Sequence, residues 1–317
     1  MLKDLDIGGQ RGDLLQMVEP RKTFADVILP EKTRRALADT LIQIEKRELI
    51  FDTWGLGERH STGTGLVFNF TGAPGTGKTI CAEAVANLLG KRLLSVRYSE
   101  LESCWAGETS KNLVAVFREA RQADVVLFFD EADSIASRRA VTNNLAGYER
   151  EANQGVNVLL KELEHHDGVV IFATNLWTNL DPAFQRRVRT HIVFELPGPR
   201  EREMIWKAQL HPTKTPLTAD VDFHSLAERF ALSGGEIKNA VIKAAHMAAA
   251  EEGLDYQKRI SQRHFEEAVG SVLESKQAME QPQAESPGAA QSLESQVREL
   301  RQQVQELQAA LAQSQTK

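Results

Sequence analysis

The chain has 317 residues, 42% of them hydrophobic and 26% charged, which supplies a core for roughly two or three structural units. Its formal net charge of −6 disfavours a general nucleic-acid binder, whose affinity comes from neutralising phosphates, although a local basic groove stays open. Apolar runs such as Val125 to Phe129 are far too short to cross a bilayer, no basic-then-apolar leader is visible, and the two cysteines, Cys81 and Cys104, form neither a disulfide framework nor a zinc site. The expectation is a cytoplasmic protein with reduced thiols and no membrane contact.

Residues 1–20 carry Gly8, Gly9, Gly12 and Pro20 with little periodicity and read as a flexible tail. From Lys32 to Leu49 the apolar positions Ala36, Leu37, Leu41, Ile44 and Leu49 suit one helical face, and the glycine-rich stretch from Trp54 to Gly65 reads as a loop. Five short apolar runs then alternate with helical patterns: Leu66–Thr71, Arg92–Tyr98, Val125–Asp130, Val169–Thr174 and His191–Leu196. Continuous apolar strands separated by helices predict an α/β fold, a five-stranded parallel sheet covered on both faces. Past Pro197 only helical patterns remain, clearest over Leu226–Phe230, Ile237–Glu251 and His264–Leu273. The expected organisation is an α/β domain over 21–196, a small helical domain over 197–275 and a Pro/Gln/Ser-rich linker over 276–291. Over 292–314, Leu293, Val297, Leu300, Val304, Leu307 and Leu311 make a heptad seam. That seam has two readings, an assembly or partner-docking coiled coil and a lone amphipathic helix.

The run Gly72-Ala-Pro74-Gly75-Thr76-Gly77-Lys78-Thr79 fits the phosphate-cradling pattern GxxxxGK[ST], and it follows a strand and opens a helix as that pattern requires. Glycines let backbone N–H groups turn inward around phosphates, and the helix N-terminus adds partial positive charge. Lys78 can reach the β- and γ-phosphates, and the Thr79 hydroxyl can ligate Mg²⁺. Some fifty residues on, an apolar strand delivers Asp130 and Glu131 at its end, followed by Asp133. In that setting Asp130 would hold Mg²⁺ and Glu131 would polarise the attacking water, so ATP and Mg²⁺ are the expected ligands.

With these motifs in place, residues 22–275 resemble the AAA subfamily of AAA+ ATPases, of the katanin and spastin kind, in a P-loop NTPase fold with a helical lid. Ala173-Thr174-Asn175 is similar to the family's sensor 1, which implies that Asn175 helps position the water. Leu180-Asp-Pro-Ala-Phe-Gln-Arg186-Arg187-Val resembles the end of the second region of homology, where related remodelling enzymes carry a paired arginine. An arginine supplied in trans can speed phosphoryl transfer by about 10³ to 10⁵, or roughly 4 to 7 kcal/mol of barrier. His191 stands where these relatives often have a further basic residue.

Leu232-Ser-Gly-Gly235-Glu-Ile resembles the lid's Ser-Gly-Ala-Asp/Glu-Ile segment, with Glu236 rather than a sensor 2 arginine after the glycines. That fits the AAA subfamily and not the clamp loaders. Phe24-Ala-Asp26-Val27 resembles the entry segment whose backbone lies by the adenine, with Leu29 near the usual glycine. Ser103-Cys104-Trp105-Ala106-Gly107-Glu108 is similar to pore loop 1, which implies that Trp105 and Ala106 grip an extended polypeptide. The alternative for Trp105 is burial in the core. The polar stretch from Arg138 to Tyr148 takes the position of pore loop 2.

The resemblance thus implies an ATP hydrolase acting as an ATP-promoted homo-hexamer that threads a protein client through a central pore. Two alternatives remain, a nucleic-acid-directed motor or loader and a nucleotide-controlled assembly scaffold. No His-Glu-x-x-His occurs in the sequence, which excludes the zinc-protease motif from these 317 residues.

Overall fold

A computed structural model describes residues 15–59, 65–97, 109–133, 146–175, 182–188 and 190–280. The chain divides into two compact units, residues 1–265 and 266–317. The first unit contains the sheet, its covering helices and the helices that follow. Of the second, the continuation of one helix to Glu280 is described.

In chain order the first unit opens with strand β1 (Leu15–Val18), a single 3₁₀ turn at Phe24–Asp26 and helix α1 (Glu31–Glu45). A π-helical turn at Leu49–Thr53 and the one-turn helix α2 (Leu56–Arg59) follow, so the stretch from Trp54 to Gly65, expected to be loop, contains one helical turn among its described residues. Then come β2 (Leu66–Gly72), α3 (Lys78–Leu88), β3 (Leu93–Arg97), α4 (Thr109–Ala123), β4 (Val126–Asp130), α5 (Ala146–His165), β5 (Val169–Thr174), α6 (Pro182–Arg187) and β6 (Thr190–Phe194). The helices α7 (Pro199–Ala208), α8 (Phe223–Arg229) and α9 (Gly234–Ala250) complete the unit, and α10 (Gln262–Glu280) crosses into the second.

The sheet order is β1-β3-β4-β5-β2-β6. All five predicted strands are present and pair in parallel. The sheet differs from the expectation in having a sixth strand. Leu15–Val18, inside the stretch expected to be tail, pairs antiparallel with β3, Leu15 opposite Val96 and Val18 opposite Leu93. A two-sided pairing is not needed for such a strand; it caps one open edge of the sheet, and edge strands tolerate short, half-polar sequences. At the far end, α10 runs through Glu280, five residues into the segment expected to be linker.

Period-two alternation explains why the strands read as unbroken apolar runs. Leu127 and Phe129 of β4, with Val170 and Phe172 of β5, face the helices α4 and α5, where they meet Leu113, Phe117 and Leu159. Their neighbours Val126, Phe128, Val169 and Ile171 face the other way, into a core with Leu37 of α1 and Cys81, Ala82 and Val85 of α3. Both faces of the sheet are therefore dry, as parallel sheets require. Phe129 and Phe172 stack with ring centroids 4.9 Å apart, and Phe184 of α6 meets Phe172 edge-on at 4.9 Å. Each of these rings is buried, so α6 is pinned to the sheet through Phe184 and Val188.

Candidate functional site

The sheet order brings the ends of β4, β5 and β2 side by side. Ligands of open α/β sheets bind beyond the carboxyl ends of the strands, and at that edge lie Asp130, Asn175 and the loop that starts at Gly72. A cavity of about 580 Å³ opens there, lined by Pro74 to Ile80, Asp130, Glu131 and Asn175. Apolar groups of Val27, Ile28, Pro197, Ile205 and Ala208 line it too, with Gly234, Gly235 and Lys238 of α9.

The loop conformation follows from its glycines. Gly75 has φ +75° and Gly77, the residue before α3, has φ +101°, backbone settings that a side chain disfavours. Gly75 is also pressed against the start of α9. A Cβ there would lie 2.9 Å from the Ser233 hydroxyl and 3.0 Å from the backbone of Gly235. Thr76 donates its hydroxyl to the carbonyl of Ala73 at 2.8 Å and is buried. Gly72 does not line the cavity; it ends β2, and its carbonyl accepts from Lys78 Nζ at 2.6 Å. Lys78 donates further to the carbonyl of Ala73 at 3.0 Å and to Asn175 Oδ1 at 2.9 Å. Burial pushes the Lys78 ammonium pKa down, while the carboxylates of Asp130 and Asp133 push it back up.

Thr79 Oγ1 donates to Asp130 Oδ2 at 3.4 Å. A hydroxyl and a carboxylate this close are hard oxygen donors of the kind Mg²⁺ takes, usually keeping several waters as well. The donor set therefore fits the ion. The backbone N–H of Glu131 donates to Asp130 Oδ1 at 3.0 Å, and Glu131 itself sits at φ +52°. A left-handed glutamate costs roughly 1–2 kcal/mol, a strain that clusters at functional positions. The turn is held by Ala132, whose N–H donates to the carbonyl of Ala173 at 2.9 Å.

The paired arginines separate in character. Arg187 Nε donates to Glu164 Oε1 of α5 at 2.9 Å, with a second guanidinium contact to the same oxygen. Arg186 is exposed and has no ion-pair partner among the described residues. Spacing explains the difference, since Phe184 of α6 and Val188, just past its end, are the buried positions. Neither arginine lines the cavity of its own chain. His191 lies on β6, in register with Asn69 of β2. Cys81 is buried among apolar groups that push its thiol pKa far up, so it is a packing residue. Trp105, Ala106, most of the Arg138 to Tyr148 stretch and the 292–314 seam lie outside the described residues.

Several cavity residues were not anticipated. Lys238 lies two residues past Glu236 on α9 and lines the cavity. Lys22, Glu195 and Gln209 also line the site. Nothing in their local sequence marks them.

Residues 68–197 match the family described as "ATPase family associated with various cellular activities (AAA)". The chain carries an AAA ATPase domain. The reaction that goes with such a domain is hydrolysis of ATP. Over 219 residues, 63% of this chain, it is 40% identical to the cell division cycle protein 48 homolog of Archaeoglobus fulgidus and covers 29% of that protein. It is 33% identical over 276 residues, 84% of the chain, to the ATP-dependent zinc metalloprotease FtsH 3 of Sphaerobacter thermophilus, covering 53% of it. The solved FIGL-1 AAA domain, in complex with ADP, superposes with a TM-score of 0.65 and 27% identity, covering 82% of this chain and 87% of that one. The chain thus spans between a quarter and about half the length of these full-length relatives. Among the described residues, no helix of the AAA chain is long and apolar enough to cross a membrane.

Proposed function

We propose that this AAA chain is an ATP-driven protein-remodelling motor that works as a ring hexamer and threads a protein client past Trp105. In this reading the adenosine lies against the apolar groups of the cavity, near Val27 and Gly235, and the phosphates lie along Pro74 to Thr79. Lys78 holds the β- and γ-phosphates, and Asn175 and Glu131 face the attacking water, with Glu131 taking its proton. Mg²⁺, held by Thr79 and Asp130, would neutralise charge on the phosphate oxygens. A neighbouring subunit supplies Arg186, and Arg187 beside it, to the γ-phosphoryl group. Residues 292–314 serve assembly or a coiled-coil partner.

The observation that carries the ring reading is the placement of Arg186. Arg186 is exposed on α6 and does not line its own chain's cavity, which is the placement expected of an arginine that reaches another copy's nucleotide. Coupling hydrolysis to assembly follows, because each site is complete only when its neighbour is present.

The test is a two-part experiment on the Glu131→Gln variant in ATP. Size-exclusion chromatography with light scattering should report a six-subunit mass that falls apart without nucleotide. A pull-down in the same state should retain a protein whose recovery is lost in the Glu131→Gln/Trp105→Ala variant. Nucleic acid in the retained fraction favours the motor or loader. ATP-dependent assembly with no client and negligible turnover in the unmodified chain favours the scaffold.

A further inference from the structure

Asp133 has no part in the assignments above, yet its carboxylate gathers three hydrogen bonds from two consecutive residues at the end of β5. It accepts from the Thr174 hydroxyl, from the backbone N–H of Asn175 at 2.7 Å and from Asn175 Nδ2 at 3.1 Å. The other end of the same amide, Oδ1, accepts from Lys78 Nζ at 2.9 Å. The two ends of an amide have the same shape, and the hydrogen-bond partners decide which way it faces. Here they decide without ambiguity. An ammonium can only donate and an ionised carboxylate can only accept. The oxygen of Asn175 must therefore face Lys78, and its NH₂ must face Asp133. Turning the amide over would set donor against donor and acceptor against acceptor.

The position of Asp133 explains why a carboxylate is used there. The last residue pair between β4 and β5 is Phe129 opposite Phe172. Beyond it the two segments are no longer joined by the strand ladder. They are tied instead by the Ala132 N–H to the Ala173 carbonyl and by the contacts of Asp133. The carboxylate holds main chain and side chain of Asn175 at once, so the amide cannot swing without breaking a charge-assisted bond. One of the two Nδ2–H groups is used in this way. The other donates to none of the described residues.

We propose that Asp133 is a positioning residue for ATP hydrolysis, one that orients the Asn175 amide with its oxygen on Lys78 and its remaining N–H toward the reacting centre. This rests on the proposed placement of Lys78 and Asn175 at the γ-phosphate end of the cavity. Asp133 contacts neither nucleotide nor water in this account. It acts through Asn175.

The experiment is steady-state ATPase kinetics on Asp133→Asn, Asn175→Ala and the double variant in the full chain. Asp133→Asn keeps the shape but offers Asn175 a group that can turn a donor toward it. We expect its kcat to fall by about tenfold to a hundredfold, the range for removing a partner that orients a functional group. The KM for ATP should stay within about threefold, since the variant leaves Lys78 and the phosphate loop from Pro74 to Thr79 in place. Because the effect passes through Asn175, the double variant should turn over within about twofold of Asn175→Ala alone. Wild-type kcat in Asp133→Asn, or two losses that multiply in the double variant, overturns the proposal. A wild-type rate in Asn175→Ala overturns the underlying site assignment instead, and the proposal with it. Should Asp133→Asn show no cooperative unfolding transition, Thr174→Val takes its place. It deletes one bond to the same carboxylate, and the expected result is a kcat loss of about threefold at unchanged KM; an unchanged kcat overturns the proposal.

Discussion

The backbone N–H of Gly235 donates to the carbonyl of Gly75 across 3.0 Å, joining the first turn of α9 to the phosphate loop. Each glycine lies so close to the other that a Cβ on either would stand 3.0 Å from the opposing backbone. The start of α9 is held for this contact by a capping box. Ser233 Oγ accepts from the Glu236 N–H at 3.3 Å, and Glu236 Oε2 accepts from the Ser233 N–H at 2.6 Å.

The two glycines are not equivalent, and substitution should show it. Gly75→Ala adds the cost of φ +75° to contacts with Ser233 and Gly235, so a loss of about 2–4 kcal/mol of stability is expected. Gly235→Ala meets one tight contact but gains helix propensity of up to about 1 kcal/mol, so its net change should stay within about 1 kcal/mol. Thermal unfolding checks the order, and equal losses would remove the geometric argument.

For the site carboxylate, Glu131→Gln should keep ATP affinity and lower turnover by about 10² to 10⁴, the usual worth of a positioned base. Lys78→Ala should instead weaken nucleotide binding. Binding of a fluorescent ATP analogue, set beside phosphate release, separates the two. Near-normal turnover in Glu131→Gln would take that residue out of its role.

The arginines make a sharper comparison. Arg186→Ala should leave nucleotide affinity and Tm unchanged while turnover drops by about 10³. Arg187→Ala should also lower Tm slightly, because the half-exposed pair with Glu164 is worth about 0–1 kcal/mol. Mixing Arg186→Ala subunits with Lys78→Ala subunits should restore part of the activity, each supplying what the other lacks. No recovery at any ratio would count against action in trans.

A fourth expectation concerns pH and stability. His166 is buried, its ring edge-on to Phe117, and neither ring nitrogen has a hydrogen-bond partner among the described residues. Burial, helped by the positive charge of Arg121, lowers its pKa from 6.5 to about 4. Between those values the unfolded chain binds a proton that the folded chain refuses. The stability is therefore complete above about pH 6.5 and is lost as pH falls toward 4, by on the order of 3 kcal/mol. His166→Leu should flatten that part of the profile relative to the unmodified chain. Parallel pH profiles for the two proteins would show that His166 is not its source.

Where chemistry is local, the residues could be read directly. The phosphate loop must place glycines, a lysine and a hydroxyl within a few residues of one another, and Asp130 and Glu131 must follow an apolar strand. Both are statements about neighbours in the chain. The five parallel strands were legible for a similar reason: burial on two faces leaves no room for polar residues at any position from Val126 to Phe129 or from Val169 to Ala173. The strand at Leu15–Val18 was not legible, because an edge strand with Gln16 exposed carries no periodic signal, and pairing with Leu93–Val96 is what makes it a strand.

By itself, then, the sequence determined the phosphate loop, the carboxylate pair, the parallel core and the AAA resemblance, since each depends on residue type at fixed short spacing. Tertiary structure alone decided that Asp133 clamps Asn175, that Lys238 faces the cavity, that Gly235 bonds to Gly75, and that Arg186 is exposed while Arg187 is tied to Glu164. These are contacts between segments far apart in the chain, and a hydrogen bond of 2.7–3.0 Å exists only where folding has brought its two ends to that distance.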